Sequence, residues 1–115
     1  MRIPKQFTLH GHTISVREVE KLDSNSYGEY NDAREKITIA QKVKDYEGFV
    51  DLTQEQIEHS FWHEVFHAFQ WHSKGEYDEA EAQSYAGLMI ELLKTSGIKI
   101  DPNLIHEPVK HTYDD

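Results

Sequence analysis

Apolar and polar residues alternate along the first third of the chain. Phe7 and Leu9 precede the turn-prone His10-Gly11, and Ile14 and Val16 follow it, which is the period-two pattern of a β-hairpin with one buried face. A second alternating run, Lys36-Ile37-Thr38-Ile39-Ala40, comes after Asn31-Asp32, and Tyr27 to Tyr30 offers it a pairing strand or a loop. These segments predict a small antiparallel sheet of three to four strands. Residues 41–52 have no clear period and read as a connecting loop.

From residue 53 the period becomes helical. Thr53 and Gln56 form a capping-box pattern, with Leu52 and Ile57 at the flanking staple positions, so a helix starts here. Ile57, Phe61, Val65, Ala68 and Phe69 then make an apolar stripe that must pack on something, most simply the sheet. This helix spans 53–73, and Lys74-Gly75 breaks it. A second helix over 76–96 begins near Tyr77, carries Asp78, Glu79 and Glu81 in its first turns, where acids favour the dipole, and ends before Gly97. Ala82 and Ala86 lie one turn apart and would let the two helices approach closely. Residues 98–115 contain two prolines and little period, and read as an irregular tail. The expected class is α+β: one domain over 1–115 with a β-rich part (1–52), two helices and a tail.

Composition narrows what such a domain could do. At 115 residues there is room for one core and one site. With no cysteine, disulfides and thiolate metal sites are excluded, so any metal must be held by nitrogen and oxygen. The formal charge of -9, with Lys and Arg scattered among acids, argues against a nucleic-acid partner. No apolar run suggests a signal peptide or a membrane span, which leads to the expectation of a cytoplasmic protein that does not engage membranes. Eight histidines are the unusual feature.

Two of them fall in His63-Glu64-Val65-Phe66-His67, inside the first helix. Residues four apart on a helix sit about one turn along and about 40° around, so both imidazoles can meet one ion. Glu64 then points near that ion without ligating it, as a base for a metal-activated water must. A catalytic zinc needs a third protein ligand and an open position. The second helix offers Glu79 or Glu81, roughly 200° apart around the axis, so only one of them can serve.

Glu79-Ala80-Glu81-Ala82-Gln83, followed by Tyr85-Ala86, resembles the glutamate-helix signature of gluzincin metallopeptidases. Together with the first-helix motif, it is similar to ImmA/IrrE-type peptidases, minigluzincins and small phage-encoded zincins over about residues 55–93. The resemblance implies a minimal zincin-like domain, with a sheet packed on an active-site helix and a glutamate helix. It implies a zinc-dependent endopeptidase acting on a protein or peptide substrate. It further implies His63, His67 and Glu79 as zinc ligands, Glu64 as general base, and Gln83, where the family has Asp or Asn, beside a ligand histidine. Gln70 and Ser73 stand where the longer metzincin motif would need Gly and His. The alternative function is a zinc-binding regulatory or interaction module without turnover, and the retained Glu64 argues for catalysis over it.

The other candidates carry less. His59 extends the 63–67 row and could reach a cleft mouth. His10 and His12 flank a turn glycine, and Trp62 and Trp71 read as packing residues. Tyr77 or Tyr85 could stabilise an oxyanion, and His106 and His111 sit on the tail. Lys36 to Ala40 is the candidate edge strand for pairing with an extended substrate.

Overall fold

The computed structural model describes residues 3–105. The N-terminal part contains six strands: β1 (Gln6–Leu9), β2 (His12–Val19), β3 (Gly28–Asn31), β4 (Lys36–Ala40), β5 (Lys42–Asp45) and β6 (Gly48–Asp51). Two helices follow, α1 (Gln54–Lys74) and α2 (Glu79–Ser96), and then a 3-10 turn at Pro102–Leu104.

The expected hairpin is β1 and β2, turning at His10-Gly11, with Phe7 opposite Ile14. The sheet is mixed, however, in the order β1-β2-β4-β3. Strand β2 runs parallel to β4, with Val16 opposite Ile37, because the chain between them first travels to the far edge and forms β3. There β3 lies antiparallel to β4. Alternation reports which face of a strand is buried and is the same for either strand direction, so the expected all-antiparallel sheet gives way to a mixed one.

Two further expectations change. Strand β4 is interior, paired on both sides and buried along nearly its whole length, so residues 36–40 do not form the expected edge, and the sheet edge on that side is β3. Residues 41–52 are not a plain loop: β5 and β6 form a separate two-stranded ribbon. Neither of its faces is deeply buried, so it carries no hydrophobic alternation to read. The tail is pinned near its start, where Lys5 N donates to Leu104 O at 2.7 Å and Pro4 bridges Ile105. His106 and His111 lie outside the described residues.

The core is one cluster of Ile3, Ile14, Val16, Ile37, Ile39, Leu52, Ile57, Phe61 and Val65. Helix α1 packs on β3 and β4 with this face and on α2 with another. Ala82 and Ala86 are fully buried, as small side chains at a close helix contact should be. Phe69, expected in the core stripe, is instead partly exposed and packs edge-on against Phe66. No described helix is long and apolar enough to cross a membrane.

Candidate metal centre

Local sequence sets where both helices begin. Thr53 accepts from Gln56 N and the Gln56 side chain accepts from Thr53 N, completing the capping box. Helix α1 ends at Gly75 with φ 72, a left-handed conformation that glycine adopts without strain. Helix α2 starts two residues later than expected: Asp78 caps it by accepting from Glu81 N, which makes Glu79 its first helical residue and leaves Tyr77 outside.

That start brings Glu79 to the motif histidines. Its carboxylate lies 2.6 Å from His67 Nε2 and 3.1 Å from His63 Nε2, and the two Nε2 atoms are 3.0 Å apart. Among the described residues, His63, His67 and Glu79 are the group whose donor atoms all lie within 4.8 Å of one another. Donors on one tetrahedral zinc at about 2.0–2.1 Å sit about 3.3 Å apart, so the set has the right chemistry and nearly the right spread. Glu81 faces elsewhere, accepting from Gln70 Nε2 at 3.0 Å and lying 3.7 Å from Lys74 Nζ.

The outer nitrogens are held as well. His63 Nδ1 donates to Gln83 Oε1 at 2.9 Å, which puts Gln83, one turn along from Glu79, beside a motif histidine. His67 Nδ1 donates to Gln70 Oε1 at 2.8 Å. The Gln70 amide can point only one way: its Nε2 donates to Asp78 O (2.9 Å) and its Oε1 accepts from Asp78 N (3.1 Å). This fixes the His67 proton on Nδ1 and turns the Nε2 lone pair toward Glu79. Gln70 was not singled out from the sequence as a partner of His67, although a glutamine three residues beyond a motif histidine, on the same helix face, is a readable signal.

Glu64 is buried beside this cluster. Burial is the main cause that pushes its carboxyl up to about 7, with Glu79 and Glu29 adding to the rise and His67 opposing it. Gly28 on β3 crosses directly over it. A Cβ at position 28 would stand 3.3 Å from Glu64 Cγ and 3.0 Å from Ile39 Cδ1. A side chain at position 28 would therefore need Ile39 and Glu64 to give by a few tenths of an ångström.

These side chains open into a cleft of about 720 Å³, walled by residues 26–30 on one side and by His59, Ser60, His63, Glu64 and Glu79 on the other. His59 is half-buried at this wall, and its ring is shifted toward the neutral form by burial and by His63. Tyr77 also lines the cleft: its ring meets His67 edge-on, stacks on Trp71, and its hydroxyl donates to Asp32 Oδ2 at 2.6 Å. Burial and that bond raise the Tyr77 hydroxyl, so it stays protonated. Tyr85 packs on Phe66 and is not part of the cleft lining.

No family model, curated protein or solved structure matches the chain.

Proposed function

We propose that the chain is a zinc-dependent metallopeptidase that uses Glu64 as general base. The observation that carries this reading is the convergence of two imidazole nitrogens and the Glu79 carboxylate beside a buried carboxyl, on the wall of an open cleft. His63, His67 and Glu79 would hold the ion. Zinc bound there would polarise a substrate carbonyl and acidify a water.

The chain's own groups supply the rest of the chemistry. Glu64, with a carboxyl close to neutrality, accepts the proton of the attacking water and returns it to the leaving amine. Gln70 and Gln83 keep both imidazoles oriented with their Nδ1 protons outward. Strand β3, at the sheet edge and in the cleft wall, supports an extended peptide as substrate, aligned by main-chain hydrogen bonds. A zinc site without turnover would have little use for a buried base beside the ion.

Elemental analysis and a peptide-library digest test the proposal together. Wild type is expected to retain zinc and cleave; His63→Ala loses the zinc of this site and cleavage; Glu64→Gln keeps that zinc and loses cleavage by about two to four orders of magnitude. Unchanged cleavage in Glu64→Gln would overturn the peptidase reading, and failure of the zinc-loaded wild type to hold metal would overturn the site.

A further inference from the structure

A second histidine cluster stands apart from the cleft. His72, in the last turn of α1, lies with its ring 5.3 Å from that of His12 and 6.1 Å from that of His10, measured between centroids. His12 and His10 sit on either side of the β1–β2 turn. Two imidazoles on one tetrahedral ion, bound at about 2.0–2.1 Å, place their ring centroids about 5 Å apart. The His12–His72 pair meets that spacing, and the His63–His67 pair, at 4.7 Å, lies on the other side of it.

The outer partners fit too. Ligating histidines as a rule give their second ring nitrogen to a carboxylate or other polar group. His12 Nδ1 is paired with the Glu35 carboxylate, which leaves its Nε2 for a ligand. His72 Nε2 lies 3.4 Å from the Tyr30 hydroxyl, which leaves its Nδ1.

Backbone conformation adds an independent observation. His10 has φ 50 and Glu35 has φ 52, left-handed positions where Asn or Gly would sit with less strain. Two of the three non-glycine residues with positive φ among those described thus belong to this one cluster.

We propose that His10, His12 and His72 form a second metal site, selective for a late first-row dication such as zinc, with Glu35 and Tyr30 as outer partners. Three nitrogen donors and no first-rank carboxylate exclude calcium and magnesium. The three imidazoles do not converge within the spread of the first group, so closing the set around an ion requires the exposed His10 ring to turn. Occupancy would tie the β1–β2 turn to the C-terminal end of α1, joining the sheet edge to the motif helix. This site does not depend on the peptidase reading.

Zinc titration of the untagged, chelator-stripped chain tests it, with bound metal counted after dialysis. Wild type is expected to hold two zinc ions. His63→Ala should hold one, and His12→Asn with His72→Gln should hold one. All three substitutions together should hold none. In the His63→Ala protein, zinc should raise the melting temperature, and adding His72→Gln should abolish that rise. Circular dichroism of these variants checks that they remain folded. The proposal is overturned if His63→Ala binds no zinc, or if its remaining ion survives His12→Asn with His72→Gln or is removed by His106→Gln with His111→Gln. A wild type that holds one ion, kept in His63→Ala and lost in His72→Gln, would leave this site standing and remove the first.

Discussion

Gln70 shows how much one side chain can decide. Its amide uses all of its hydrogen-bonding capacity on three residues, His67, Asp78 and Glu81, and so fixes an imidazole tautomer and the entry of α2 together. Gln70→Met keeps the volume and removes every one of those bonds. It should weaken zinc affinity by about 10–100-fold, as losses of ligand-orienting partners do, and shift the metal-free His67 toward the Nε2–H tautomer. Competition with a chromophoric chelator measures the first effect and nitrogen-15 NMR the second; an unchanged tautomer would refute the orienting role. Gly28 is the other residue packed tightly at the site. Gly28→Val would drive β3 off Glu64 and Ile39, and the peptidase reading then expects loss of cleavage with zinc retained.

At the scale of elements, what could be read ahead of the structure followed from whether the determining interactions are local. The start of α1 is written in two side chains three residues apart, and Thr53→Ala should lower stability by about 1 kcal/mol, read as a shift of the urea midpoint. The start of α2 depends on Asp78, whose backbone is held by Gln70 from the other helix, so the local acids alone placed it two residues early. Asp78→Ala should have a double effect: about 1 kcal/mol of helix stability through the lost cap, and weaker metal binding because Glu79 is the next residue. Equal zinc affinity in this variant would separate cap from site. The β5–β6 ribbon escaped detection because it buries no continuous face.

For the whole molecule, the sheet and α1 share one small core centred on Phe61, which is 1% exposed and touches Phe7 and Trp62 edge-on. Phe61→Ala should cost about 3–5 kcal/mol, a large share of the stability of a domain this size, and denaturant unfolding checks it. Stability of the metal-free chain should also depend on pH through Glu64. Its folded carboxyl titrates near 7, above the ordinary range of about 4.3, so the folded state binds the proton more tightly than the unfolded one. The stabilisation is therefore complete below about pH 4 and is lost as pH rises through about 7, on the order of 3–4 kcal/mol, for this mostly buried group. Glu64→Gln should flatten that slope in chelator-treated protein; an equal slope would assign it to other groups. The amino-acid sequence by itself determined the hairpin, both helices and the spacing that puts His63 and His67 on one helix face, because each rests on contacts within about one or two turns or on a local pattern. Only the tertiary structure decided that β2 and β4 run parallel, that β3 forms the cleft edge over Glu64, that Gln70 clamps His67 to α2, and that His72 meets His10 and His12, because those relations join residues whose separation along the chain carries no period to read.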